Sequence, residues 1–293
     1  MKFLITGSHG QLGNELTRII ADGKSEIGAI PKPCIGAEVV AVDVDTLDIT
    51  DTNAVIDFVC KEKPDVIINC AAMTNVDGCE ESYAAAYSVN AEGVRNLAVA
   101  AEKADAKFVN VSTDYVFAGN GNKPYMEWDA PAPNTVYGKS KWLGEQYALH
   151  FCRRTFIVRT AWLYGYIGKN FVKTIRRIAK ANPEIKVVGD QIGNPTNAND
   201  LAHHILKLAV TEKYGIYHCT GNGECSWYDF ASKIVELSGI ECKVNSCTTE
   251  EYGNKTPRPA YSSLSKTALD CAVGNEMRDW ESALKQYIEN VED

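Results

Sequence analysis

The feature that most constrains the chain is the turn TGSHGQLG at residues 6 to 13, which follows directly on an apolar, β-branched run from Lys2 to Thr6. Its glycines, Gly7, Gly10 and Gly13, stand at GxxGxxG spacing, and a helical pattern opens at about Gln11. Glycine permits the tight strand-to-helix turn, lets backbone amides approach a pyrophosphate at the positive end of the helix, and lets helix and strand pack closely. The bare triplet also occurs in turns that bind nothing, because glycine is the default residue of strained turns. Its surroundings favour the ligand: the next strand pattern, Glu38 to Val42, ends at Asp43, whose carboxylate can accept from a ribose 2′-hydroxyl. The competing reading of Asp43 is a solvated strand-end residue. The cofactor expected is therefore NADPH or NADH, with a slight lean to NADH from Asp43, unless Lys24 or Lys32 compensates a 2′-phosphate.

Downstream, short β-branched runs keep alternating with helical patterns. A helix near Asn53 to Lys61 precedes a strand at Val66 to Asn69, a helix reads from Glu81 to Ala104, and strands read at Lys107 to Val111 and Thr155 to Arg159. The runs are apolar throughout rather than alternating, as parallel strands covered on both faces require. The fold class expected is α/β, a Rossmann-type doubly wound parallel sheet with a smaller C-terminal α/β substrate-binding region. Residues 1–162 form the dinucleotide-binding domain, with 196–220 (a helix and a strand) returning to it, and 163–293 form the substrate-binding region. Helices are expected near Asn170 to Ala181 and Trp227 to Ser238, with a strand at Ile185 to Val188. Residues 22–36, DGKSEIGAIPKPCIG, read as a mobile surface loop, and the proline-rich stretch Gly119 to Asn134 as a substrate rim.

A net charge of -8 argues against a broad nucleic-acid footprint. No apolar run reaches membrane-spanning length, and MKFLITGSHG turns polar too early for a secretory signal, so a cytoplasmic chain with no membrane partner is expected. The 10 cysteines show no CxxC pair or metal-ligand spacing with the histidines, and those in apolar stretches, such as Cys60 and Cys70, read as reduced core thiols.

The segment VYGKSKWLGEQYA places Tyr137 and Lys141 on one face of a helix. Alone, such a pair is an ordinary helix-surface contact. A phenol beside an ammonium, however, has its phenolate stabilised and its pKa drawn towards working pH, which suits proton transfer to a carbinol oxygen. Upstream, the strand at Lys107 to Val111 runs into Ser112, Thr113 and Asp114, so a hydroxyl from Ser112 or Thr113 stands at the carboxyl end of a parallel strand, where such sheets bind ligands. That hydroxyl can donate to a carbonyl oxygen as hydride addition builds charge on it.

Together, TGxxGxxG, NCAA at 69 to 72, Asn90, STD at 112 to 114 and YxxxK at 137 to 141 make the chain resemble the extended short-chain dehydrogenase/reductase family. AAMTNVDGCE, STDYVFAGNG, VYGKSKWLGE, RTAWLYG, DQIGNPT and PRPAYSSL, spread over nearly the whole length, narrow the resemblance to its dTDP-4-dehydrorhamnose reductase branch. The resemblance implies Thr113, Tyr137 and Lys141 as catalytic residues. It implies a cofactor set of Gly7, His9, Gly10, Gln11, Leu12, Gly13, Asp43, Asp48, Ile49, Ala71, Ala72 and Asn90, with Tyr137 and Lys141. It also implies a nucleotide-sugar pocket of Thr74, Val76, Thr113, Asp114, Tyr115 and Trp162, joined by Asn170, Gln191 and Arg258. Lys141 would hold ribose hydroxyls, and Asn90 would order a water or backbone group nearby. Trp162 could stack on a base or sugar, and Arg258 could pair with a diphosphate, against readings as a core aromatic and a surface cation. Some relatives are metal-linked dimers. Glu15 and Glu184 fall at plausible matching positions but read as solvated glutamates, so no metal is expected, while a homodimer is compatible with the pattern. The rival readings are another nucleotide-sugar reductase, epimerase or dehydratase, the last because Asp114 follows Thr113, and a non-catalytic cofactor-binding regulatory subunit.

Overall fold

In the computed structural model, which describes residues 1–291, six parallel strands form the central sheet. They are β1 (Lys2–Thr6), β2 (Glu38–Val42), β3 (Val66–Asn69), β4 (Lys107–Thr113), β5 (Thr155–Thr160) and β6 (Gly215–His218), in the order β6-β5-β4-β3-β1-β2. The pleat sends successive side chains to opposite faces. Phe3 and Ile5 pack with Leu16 and Ile19 of α1 (Gln11–Asp22) and with Leu201 and Ile205 of a later helix, Ala198–Ala209. Leu4, Ile67 and Phe108 face the other layer, where they meet Val55 of α2 (Thr52–Glu62), Leu97 of α3 (Val94–Lys103) and Ala148 of α4 (Val136–Phe151). Strands covered on both faces are the doubly wound architecture.

Beyond β5, the helices α5 (Phe171–Ala181), α6 (the Ala198–Ala209 helix), α7 (Trp227–Leu237) and α8 (Trp280–Asn290) continue the chain. A separate aromatic core of Tyr164, Phe230, Trp280 and Tyr287 lies beside a parallel ladder of Glu184–Val188 with Lys243–Cys247.

Two sequence expectations are corrected. The stretch 22–36 is not a loose loop: Lys24–Ser25 and Gly28–Ala29 form a small hairpin, Lys32–Cys34 a 3-10 turn, and Ile30 and Cys34 are buried. Glu26 anchors it, pairing with Arg278 at 2.8 Å and accepting from the Tyr166 hydroxyl at 2.7 Å. Lys24 follows the far end of α1, about 18 Å along the axis from the glycine turn, and Lys32 precedes the N-terminal end of β2, opposite Asp43, so neither is placed to answer a phosphate there. Second, Cys60 is exposed on α2 and Cys70 is only partly buried; all ten cysteines are free thiols. The expected helix from Glu81 to Ala104 is present but interrupted, with a π-helical turn at Ser88–Gly93 that carries Asn90.

Candidate active site

The carboxyl ends of β1, β3, β4 and β5 open into one cleft with a volume of about 560 Å³. The glycine turn forms one wall. Gly7 lies in the left-handed region at φ 65°, where a Cβ would come within 2.6 Å of the Ala71 amide, and a Cβ at Gly13 would come within 2.4 Å of the Gly7 carbonyl. These two glycines are therefore required by the chain's own packing. Gly10 is the exposed N-cap of α1 and supplies no side-chain cap, so the first amides of the helix are left for an anion. Gln11 and Leu12 complete this wall. The neighbouring strand ends are braced by side chains: the Thr6 hydroxyl donates to Asn69 at 2.7 Å, and Asn69 donates to Asn110 at 2.8 Å.

The opposite wall is the end of β4 with α4. Pleat alternation separates Ser112 from Thr113 and resolves which hydroxyl serves the cleft. Ser112 is turned into the interior, donating to Glu145 at 2.5 Å, while Thr113 donates to Asp114 at 2.8 Å and accepts from the Tyr115 amide at 3.2 Å. Thr113, Asp114, Tyr115, Tyr137 and Lys141 all line the cleft together with the glycines. The Tyr137 hydroxyl is hydrogen-bonded to Thr113, and its ring meets the edge of Tyr115 with centroids 5.4 Å apart.

Lys141 is 3% exposed, and its Nζ donates to the Val111 carbonyl at 2.7 Å. Burial pulls its pKa down to about 8, with the charge of Glu145 the main opposing influence. Tyr137 is pushed well above its ordinary value by burial, with Thr113 the main opposing influence. The expectation that the ammonium draws the phenol down is thus not met in the protein alone: the lysine is committed to a strand carbonyl, and desolvation dominates the tyrosine. Burial also lifts Asp114 to about 6, opposed by the neighbouring Ser262 and Thr113 hydroxyls.

The remaining expected residues divide. Ala72, Thr74, Val76 and Trp162 line the cleft. Ala71 sits behind the glycine turn, its amide held by Asn69 at 3.2 Å. Asn90 grips the Met73 backbone through both its amide atoms, at 2.9 and 3.0 Å, and reaches Ser140 beside Lys141 at 3.1 Å. Asp43 directly follows β2 and accepts from the His9 amide at 3.0 Å, which ties the turn to the second strand. Asp48 is exposed, and Ile49 is buried against the π-helical turn at Gly93. Asn170 caps α5 and donates to Gln11 at 3.1 Å, so it acts on the wall from behind. Gln191 is turned away, donating to Thr249 at 2.9 Å, and Arg258 is held by Asp77 at 2.9 Å beside Tyr115. Glu15 is buried and paired with Arg18, whereas Glu184 is exposed and accepts from Asn245. The description of both as solvated glutamates is corrected for Glu15.

Trp162 is hemmed in. Its indole stacks on Trp227 at 3.5 Å, and a Cβ on Gly193 would lie 2.6 Å from the ring. Trp227, like Cys70 and Lys169, lines the cleft but was not picked out from the sequence; no local motif marks it, because it arrives from α7 only in three dimensions. The other feature missed is the ion pair of Arg159 with Glu145 behind the site, at 2.7 Å and with both side chains almost fully buried. The four-residue step from Lys141 to Glu145 was the signal that could have found it.

A doubly wound sheet, a glycine turn at an uncapped helix end, and a hydroxyl, a phenol and a lysine across the same cleft define a nicotinamide-dependent oxidoreductase of the extended short-chain dehydrogenase/reductase class. The family model described as RmlD substrate binding domain matches residues 1–292, and the chain belongs to that family. It is 43% identical over 288 residues to the spore coat polysaccharide biosynthesis protein SpsK of Bacillus subtilis, covering 98% of this chain and 97% of that one. A crystal structure of a dTDP-4-dehydrorhamnose reductase from Clostridium acetobutylicum superposes with a TM-score of 0.93 at 47% identity, covering 99% of both chains. One of a dTDP-4-dehydrorhamnose reductase from Bacillus anthracis in complex with NADP gives 0.92 at 41% identity, again covering 99% of both. No helix among the described residues is long and apolar enough to cross a membrane.

Proposed function

We propose that the chain reduces the 4-keto group of dTDP-4-dehydro-L-rhamnose to give dTDP-L-rhamnose, using NADPH or NADH. The observation that carries this reading is the convergence of the glycine turn, Thr113, Tyr137 and Lys141 on one cleft. The turn fits a dinucleotide, with Gly10 and the uncapped amides of α1 facing the pyrophosphate and Asp43 facing the adenosine ribose. When bound, the reduced nicotinamide supplies a hydride. Tyr137 is the proton donor: a phenol held well above its ordinary pKa keeps its proton at neutral pH until an alkoxide develops beside it. Thr113 hydrogen-bonds the carbonyl oxygen, and Lys141 holds the ribose hydroxyls. In Asp43 we read a slight preference for NADH, since a carboxylate disfavours a 2′-phosphate.

Residues 1–162 with 196–220 are read as the cofactor-binding part and 163–293 as the substrate region, in a cytoplasmic enzyme that takes a nucleotide-sugar substrate and forms homodimers. The test couples the preceding dehydratase and epimerase steps to this protein and follows consumption of each reduced cofactor with identification of the sugar. One cofactor consumed per product supports a reductase, whereas product without net consumption means an epimerase or dehydratase. Tyr137→Phe is expected to lose at least about a hundredfold in kcat; full turnover by that variant would refute its role as donor.

A further inference from the structure

Thr113 has one hydroxyl proton and several claims on it. In the protein that proton goes to Oδ1 of Asp114 at 2.8 Å, one lone pair takes the Tyr115 amide, and Tyr137 is bonded to the same oxygen. While Asp114 is a carboxylate, the chain of donors runs from Tyr137 through Thr113 to Asp114, away from the substrate. A threonine that donates to a carboxylate has no proton left for a substrate oxygen or for a tyrosinate. Asp114 is 2% exposed and lines the cleft; its Oδ2 is buried without a hydrogen-bond partner, which disfavours the carboxylate, and its Oδ1 is the oxygen that meets Thr113 and would carry the proton.

We propose, resting on the reductase reading above, that Asp114 is a positioning residue which sets the direction of the Thr113 proton and replaces the proton that Tyr137 gives up. With Asp114 neutral, its Oδ1–H donates to Thr113, and the Thr113 proton is free first for the carbonyl oxygen and then, once that oxygen is protonated, for Tyr137. As hydride adds to the carbonyl carbon and the C=O π bond breaks, the oxygen takes the Tyr137 proton. Tyr137 takes the Thr113 proton, Thr113 takes that of Asp114, and Asp114 is left as a carboxylate that regains a proton from water. The net change is one hydride from the reduced nicotinamide and one proton from solvent. Lys141 is less suited to this task, since its Nζ is engaged by the Val111 carbonyl.

The groups that face Asp114 are Thr113 and Tyr115 from its own turn, Tyr137 from α4 and Ser262 from the C-terminal region. Arg258 and Asp77, the charges beside Tyr115, pair with each other. Burial is therefore the main influence on Asp114, and it favours the protonated form up to about pH 6.

The experiment is the pH profile of kcat at saturating substrate and cofactor, for the wild type and for Asp114→Asn. Asparagine keeps the shape and can donate to Thr113 but cannot release a proton. The wild type is expected to lose activity as pH rises through about 6. Asp114→Asn is expected to lose about a hundredfold in kcat on the acid side, to show little change in KM, and to have no such limb. Thr113→Val, which leaves Asp114 in place but cuts the chain, is expected to lose the same limb, and titration with reduced cofactor shows that both variants fold. Turnover by the wild type with an unchanged limb in Asp114→Asn overturns the relay alone. A loss confined to KM does the same. Absence of any ketosugar turnover by the wild type overturns the reductase reading and the relay with it.

Discussion

Lys141→Met should make the protein more stable while abolishing its activity. The lysine is 3% exposed, and its pKa falls from an ordinary 10.5 to about 8 because burial disfavours the charge. A difference of about 2.5 units corresponds to roughly 3 kcal/mol of destabilisation at pH 7, where the folded chain must hold a buried ammonium. Methionine removes that charge and fills similar space. Against this stands the 2.7 Å bond to the Val111 carbonyl, whose loss leaves a backbone acceptor unpaired at a cost of about 1–2 kcal/mol. The net expectation is a variant about 1–2 kcal/mol more stable at pH 7. The pH dependence has a definite sign. Between about 8 and 10.5 the unfolded lysine is still protonated and the folded one is not, so wild-type stability from this group rises with pH across that window. The advantage of Lys141→Met should therefore shrink above pH 8 and vanish or reverse towards pH 10. Urea unfolding at pH 7 and near pH 10 measures both, with the cofactor omitted so that binding does not enter. A variant less stable than wild type at pH 7, with a gap that does not change with pH, would refute the reasoning.

Three further outcomes follow from the geometry. Arg159→Met strands the Glu145 carboxylate in the interior and should cost about 3–5 kcal/mol, whereas Glu145→Leu combined with Arg159→Met should recover most of that loss; thermal melts decide, and a double variant no better than the single one contradicts the account. Gly13→Ala drives a Cβ to 2.4 Å from the Gly7 carbonyl, a backbone atom that cannot swing aside, so it should cost about 1–3 kcal/mol and weaken cofactor binding at least about tenfold in a fluorescence titration. Asp43→Asn removes the charge proposed to meet the adenosine ribose and should raise the ratio of kcat/KM for NADPH over NADH by about tenfold, a shift absent if Asp43 only braces the His9 amide.

Much of the fold was legible because its signals are local. The strands Glu38–Val42 and Val66–Asn69 are found where the apolar runs predict them, since a parallel strand buried on both faces needs such a run. The loop at 22–36 was misread because glycine, proline and lysine content reports turn propensity and not packing; Ile30 and Cys34 are buried in the same cluster as Leu201 and Ile205 of α6, and Arg278 comes to Glu26 from the C-terminal region. In the site, the glycine turn and the four-residue step from Tyr137 to Lys141 were readable, being fixed by a turn and a helix. Which of Ser112 and Thr113 faces the cleft depends on strand register, and the faces of Trp162 depend on Trp227 and Gly193, distant in sequence.

The same cause acts on every titratable group of the catalytic wall. Burial lifts Asp114 and Tyr137 and lowers Lys141, so each is pushed towards its neutral form. For the two acids this means that protons are retained where a developing alkoxide will need one. For the lysine it means that its charge is held at a cost, sustained by Glu145 one helical turn away. Glu145 is itself paired with Arg159, through bonds of 2.7 and 2.9 Å. The buried pair is thus coupled to the site: it sits beneath α4 and the end of β4, joins Ser112 to the helix that carries Tyr137, and supplies the negative charge that a buried ammonium requires. A double variant at Glu145 and Arg159 that regains stability should therefore still fail to restore activity near pH 8, because Lys141 would then lose its proton at lower pH. Activity recovered in full at that pH would show that the pair serves the fold alone.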